Sequence, residues 1–134
     1  MDYNLAARLA GRLFGDILYR DADKAGFAHY LDALSTDQLS LDDAIREFYT
    51  SDEFVREFVL NETPNELARK LICTFLDTAD PSVRSAESIS AVLNQLVHSG
   101  LDSVIRSLIQ DPRFRDHYGF STVPRYVTKH DFTF

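Results

Sequence analysis

The chain has 134 residues, 45% of them apolar, and carries 21 acidic against 14 basic side chains for a formal net charge of −7. That apolar share excludes a disordered acidic tail and suffices for one domain that buries about two thirds of its unfolded surface. An acidic surface repels phosphate, which argues against a nucleic acid partner and leaves a basic surface as a suitable one.

The charge is unevenly spread. Residues 1–60 hold 12 acids against 6 bases, whereas 61–134 hold 9 against 8. Cys73 is the one cysteine, so an internal disulfide is excluded and a reducing compartment is its natural setting. No apolar run approaches membrane-spanning length and no signal-type core opens the chain, so the expectation is a cytoplasmic protein without membrane insertion.

In chain order, residues 3–19 place Leu5, Leu9, Leu13, Ile17 and Leu18 at helical spacing. Gly11 and Gly15, four apart, either admit a second helix closely or are tolerated small residues. RDADKAG breaks this helix, and Phe27, Tyr30, Leu31 and Leu34 form the stripe of a second. Ser40 caps a third helix with Asp42 and Asp43 at its positive end, burying Leu41, Ala44, Ile45 and Phe48. Ser51 or Asp52 caps a short fourth, with Phe54, Val55 and Phe58 inward.

Thr63-Pro64-Asn65-Glu66 combines a cap, a proline at the first helical position and a capping-box acid. The fifth helix runs to about Leu76 on Leu67, Leu71, Ile72 and Phe75, with Thr74 on its flank. A turn over 77–84 leads to a sixth helix from about Ser85, burying Ile89, Val92, Leu93 and Leu96 and ending at Ser99-Gly100. Leu101, Val104, Ile105 and Leu108 form the seventh, and Asp111-Pro112 opens an eighth that Gly119 stops. From Phe120 the helical period is lost, and the segment either runs extended along the helices or forms an irregular tail.

Two stretches repeat. Between AIREFYTSDEFVREF (44–58) and IRSLIQDPRFRDHYG (105–119), Ile45, Arg46, Phe48, Phe54 and Phe58 map onto Ile105, Arg106, Leu108, Phe114 and Tyr118, each sixty residues on. The expected fold is therefore all-α, with seven or eight helices in two pseudo-duplicated halves. These are half-repeats at about 12–60 and 67–119 within a helical domain 1–119, followed by the tail 120–134.

Candidate chemistry is sparse. Asp21 to Asp32 fits a twelve-residue calcium loop at Asp21, Asp23, Gly26 and Asp32, but Ala25 and Ala28 stand where a ligand and a bulky aliphatic residue belong. The alternative is a polar turn in which Asp21 or Asp23 caps a helix and Gly26 permits close packing. His29, His98, His117 and His130 form no HxxxH or HExxH pair, and no second thiol accompanies Cys73. Glu53, Glu57, Glu62 and Glu66 read as solvent-facing acids beside short helices. No nucleophile motif or phosphate-cradling loop is present, so no enzymatic activity and no cofactor are expected.

The aromatics carry more. Tyr49, Tyr118, Phe120, Tyr126, Phe132 and Phe134 lie at or near segment ends. With Arg113, Arg115 and Arg125 they are the material of a protein interface, or else seal the open end of the core. The candidate interface is Arg113, Arg115, Tyr118, Arg125 and Tyr126.

Three stretches carry a resemblance. Leu18, Arg20, Asp23, Gly26 and Tyr30-Leu31 look like the repeat of a widespread bacterial helical family of unknown function. SLDDAIREFYTSDEF is similar to a region of phycobilisome linker domains. DPRFRDHYGFSTVPRY, with Tyr118, Gly119, Val123 and Pro124, resembles the way that domain ends. The resemblance spans residues 12–126 and implies an all-helical, non-catalytic scaffold that bridges phycobiliproteins in a light-harvesting antenna, thylakoid-associated in the cell. The alternatives are a calcium-binding helical protein using residues 21–32, or a helical module of a bacterial surface or secreted protein outside any antenna.

Overall fold

In the computed structural model, which describes residues 1–129, seven of eight helices start on a side chain that accepts a backbone N–H of the first turn. The helices are α1 (Tyr3–Arg12), α2 (Lys24–Ser35), α3 (Leu41–Tyr49), α4 (Asp52–Phe54), α5 (Pro64–Phe75), α6 (Ala86–Ser99), α7 (Leu101–Gln110) and α8 (Pro112–Tyr118). The caps are Asp2, Asp23, Ser40, Ser51, Thr63, Ser85 and Asp111, each satisfying a donor that the first turn leaves without an intrahelical partner. α7 follows α6 directly through Gly100, whose φ of 90° only glycine adopts without strain. The fold is all-α, with no strand among the described residues.

Two helices depart from regular geometry. α1 continues as a π-helical turn over Leu13–Ile17, and α4 continues as another over Val55–Val59. Leu13, Phe14 and Ile17 of the first turn are all buried in the core. In the second, Val55 and Phe58 are half-buried, so only Phe54 of α4 is fully inside.

α1 packs mainly on α2, α5 mainly on α6, and α3 and α7 meet between the two pairs. Aligned positions of the two similar stretches are buried alike. α3 buries Leu41, Ala44, Ile45 and Phe48, and α7 buries Val104, Ile105 and Leu108, with Leu101 packed half-buried against the same core. Phe54 and Phe114, sixty residues apart, are both 0% exposed. Arg46 of α3 pairs with Asp102 at the start of α7 at 3.6 Å, while Asp42 and Arg106 line one cavity between the same helices. The start of each helix thus lies beside the later turns of the other, as in two copies related by a twofold.

Gly11 and Gly15 face open space, so of their two readings the structure supports tolerated small residues. Two local expectations need correcting. Thr74 is 0% exposed rather than on a flank. In α6 only Ile89 is buried, while Val92, Leu93 and Leu96 are half-buried and Val97 is exposed, because α6 is an edge helix packed mainly on α5 and α7. No helix among the described residues is long and apolar enough to cross a membrane.

Candidate protein interface

Beyond α8 the chain turns at Gly119 (φ 74°) and runs without regular structure across the helices. A segment with no ladder of its own must find side-chain partners for its buried backbone groups. α1 with its π turn, α3, α5 and Tyr19 just beyond that turn supply them. The Tyr49 hydroxyl donates to the Pro124 carbonyl at 2.6 Å. The Tyr126 N–H donates to the Asp16 carbonyl at 3.0 Å, and the Tyr19 hydroxyl donates to the Tyr126 carbonyl. The Val127 N–H donates to Thr74 Oγ1 at 3.0 Å, and that hydroxyl in turn donates to the Lys70 carbonyl at 2.7 Å. This is why Thr74 is buried: its hydroxyl accepts from the strap on one side and donates to its own helix on the other.

Residues 119–127 are thus a strap rather than a separate tail. Val123 (4% exposed) and Tyr126 (1% exposed) join the same apolar cluster as the helices. Between them Arg125 points outward, 67% exposed, and Phe120 is 82% exposed at the start of the strap. His130, Phe132 and Phe134 lie outside the described residues.

The five residues expected to form an interface divide into two groups. Tyr126 is a core residue, its ring meeting Phe54 at 4.9 Å, Phe58 at 5.3 Å and Tyr49 at 6.3 Å. Its hydroxyl has no hydrogen-bond partner among the described residues, and burial pushes its ionisation far above the usual tyrosine range. Arg115 is 11% exposed in its side chain, lies 4.3 Å over the Phe114 ring, and pairs with Asp42. It also donates to the carbonyls of Gly119 at 2.7 Å and Thr122 at 3.2 Å, fixing the start of the strap. Tyr118 is half-buried and donates to the Thr74 carbonyl at 2.7 Å. Those three hold the platform together; a buried ring offers a partner nothing while the strap is docked.

Arg113 and Arg125 face outward. Arg113 clasps Asp111, the α8 cap, through Nε at 3.1 Å and Nη2 at 2.8 Å, and this holds the Asp111 carboxyl below its usual range. Arg125 lies 5.0 Å over the Tyr19 ring. Tyr19 itself is held at φ 55°, a conformation that costs a bulky residue about 1–3 kcal/mol and persists only where the surroundings impose it. Here its hydroxyl bond to the strap and its ring contact with Phe58 at 5.8 Å impose it.

Sequence reading missed Tyr19 as part of this surface and treated Tyr49 as a terminal, exposed ring, whereas Tyr49 is 0% exposed. A tyrosine amid apolar neighbours carries no mark in sequence of where its hydroxyl goes. Glu53 was read as solvent-facing, yet it holds Arg20 through two bonds of 2.7 and 2.9 Å.

The calcium alternative is corrected by the local geometry. Asp23 caps α2, accepting from the Gly26 N–H at 2.9 Å and pairing with Arg20 at 3.5 Å. α2 begins at Lys24, so Asp32 lies more than two turns along a rigid helix instead of folding back to meet Asp21 and Asp23. No three His, Cys, Asp or Glu side chains gather as metal ligands among the described residues.

Compared with known families, residues 7–58 match a model described as a domain of unknown function (DUF4214). That stretch spans most of α1 through to the π turn after α4, and leaves the strap outside it. No curated protein matches the chain.

Proposed function

We propose that the chain is a non-catalytic protein–protein interaction module whose contact face is the outer side of the strap with the helix ends beneath it. The observation that carries this reading is Phe120, 82% exposed, on a backbone whose neighbours are fixed by Arg115. An aromatic side chain left in water on an ordered segment gains by docking, and the pinned backbone lowers the ordering cost of doing so. Arg113 and Arg125 add outward guanidinium groups, so the face suits an acidic partner surface.

The groups with the largest shifts in ionisation, Tyr49 beneath the strap and Tyr126 within it, lie in the aromatic core rather than in a cleft, which supports a structural use for them. Phycobiliproteins are the partner implied by the resemblance to linker domains, and bridging them is the role proposed on that basis.

The test is capture of purified phycobiliprotein, and of proteins from the native organism, by wild type and by Arg113→Ala/Phe120→Ala/Arg125→Ala. All three substitutions are at exposed positions, so folding is retained and is checked by circular dichroism. Partner binding by wild type and its loss in the variant is the expected result. Equal recovery by the variant moves the face elsewhere, and turnover of a small molecule by the purified chain replaces the interaction reading.

A further inference from the structure

Away from the strap, a cavity of about 170 Å³ opens beside the end of α1, lined by Phe14, Arg20, Tyr30, Glu47, Phe48 and Glu53 among others. Its wall is a cluster of three rings. Phe14 and Phe48 meet edge to face at 4.8 Å, Tyr30 and Phe48 lie 4.8 Å apart, and Phe14 and Tyr30 6.1 Å apart. Ring faces carry negative charge density, and with carboxylates at the rim such a pocket attracts cations and offers little to an anion.

One side of the cavity already holds a cation in this manner. The Arg20 guanidinium sits 5.0 Å over the Phe14 ring while Nε and Nη2 fork onto the Glu53 carboxylate. The other side has the same parts without the cation. Tyr30 is half-buried beside Glu47, whose negative charge adds to burial in opposing ionisation of the phenol. Glu47 is exposed, and no ion pair engages it among the described residues.

We infer that this cavity receives an arginine side chain from a basic segment of a partner protein, its guanidinium set between the Tyr30 ring and the Glu47 carboxylate. A guanidinium fits better than an ammonium because it is flat, weakly hydrated and forked, which suits one ring and one carboxylate at once. The volume admits the end of one side chain and little more, so the rest of the segment lies on the surrounding surface. That surface is where the acids concentrate: 12 acids against 6 bases in residues 1–60. The cavity residues fall within residues 7–58, the stretch matched by the family model, and no strap residue lines the cavity. The inference rests on the interaction reading and deepens it. One face suits an acidic partner and the other a basic one, which is the layout of a bridge.

The experiment is a nitrogen-15 NMR titration of the whole chain with the peptide acetyl-Gly-Arg-Gly-Ser-Arg-Gly-amide, set against the same peptide with citrulline for arginine. Citrulline keeps the shape and removes the charge. Shifts centred on Tyr30, Glu47 and Phe48 are expected with arginine and not with citrulline. Glu47→Gln, at an exposed position, should weaken binding about tenfold, the scale of one charge-assisted contact. Glu57→Gln removes the same charge outside the cavity and should change affinity by less than about twofold. Tyr30→Leu is the second variant, and should weaken the arginine peptide while its own fold is verified in the same spectra.

Equal binding of the citrulline peptide, equal losses in the two glutamine variants, or no shifts at millimolar peptide each overturn the proposal. The same variants go through the capture assay. A partner lost with the strap variant but kept by Glu47→Gln and Tyr30→Leu, with no peptide binding, removes this proposal and leaves the interaction reading standing. If no variant changes capture and no peptide binds, both fall.

Discussion

Tyr49 and Pro124, 75 positions apart, are joined inside the core by a hydrogen bond of 2.6 Å from phenol to backbone carbonyl. The ring that donates it also packs on Phe54 at 5.0 Å and Phe75 at 5.1 Å, so one side chain ties the strap to both halves of the fold. Tyr49→Phe keeps the ring and strands the buried carbonyl. We expect a loss of about 1–3 kcal/mol in urea denaturation, the cost of leaving a buried acceptor unpaired. A change below about 0.5 kcal/mol would mean that water replaces the hydroxyl.

Tyr126 should respond with the opposite sign. Its hydroxyl is buried without a partner among the described residues, and the bond from Tyr19 goes to its backbone carbonyl, which a substitution leaves in place. Tyr126→Phe should therefore be neutral or stabilising by up to about 1 kcal/mol. The same pair sets the alkaline limit. Burial raises the ionisation of Tyr49 and Tyr126 above the unfolded value near about 10. Below that value both states hold the proton and the contribution is complete. Above it only the unfolded state ionises, and stability falls by about 1.4 kcal/mol per pH unit for each such tyrosine. Denaturation midpoints from about pH 8 to about pH 11 should decline, and the decline should be shallower in Tyr126→Phe than in wild type.

Phe54 and Phe114 occupy matching places in the two halves and are both fully enclosed. Truncation of either to alanine should cost about 3–5 kcal/mol, the range for a buried aromatic. Equal losses, read by chemical denaturation, would show that the two halves contribute alike. A loss under about 1 kcal/mol in either would show that its surroundings collapse to fill the space.

Gly26 and Gly11 separate two reasons for a glycine in a helix. A Cβ on Gly26 would stand 2.8 Å from Phe14 Cζ and 2.8 Å from the Asp23 carboxylate, the cap of its own helix. Gly26→Ala should destabilise by about 1–3 kcal/mol through this overlap, despite alanine's better helix propensity. Gly11 has nothing within 4 Å, so Gly11→Ala should stabilise by about 0.5–1 kcal/mol. Thermal denaturation of the two variants checks both signs.

The helices were legible because their signals are local. Ser40, Thr63, Ser85 and Asp111 each stand just before an apolar period, and each caps the helix expected of it. The burial of Phe54 and Phe114 was legible because both follow a capped break at one spacing. The strap was not, since Pro124, Tyr126 and Val127 find their places through bonds to Tyr49, Asp16 and Thr74, more than fifty residues away. The interface residues were legible by type and not by direction. Arg115 and Arg125 look alike in sequence, but one is spent on Asp42 and the strap's carbonyls while the other faces water. The aromatic cavity escaped notice because Phe14, Tyr30 and Phe48 come from three different helices, and each satisfies a core pattern on its own.

The bond between the Tyr126 N–H and the Asp16 carbonyl also has a meaning in time. At ordinary rates of synthesis Asp16 leaves the ribosome roughly 5–20 s before Tyr126 does. Late in that interval α1, α3 and α5 are already made, while the residues that cover Tyr49 and satisfy Thr74 are still to come. The nascent chain can assemble its helices in order but cannot close them. The strap finishes what the first helix begins, and closure waits until the strap has been made.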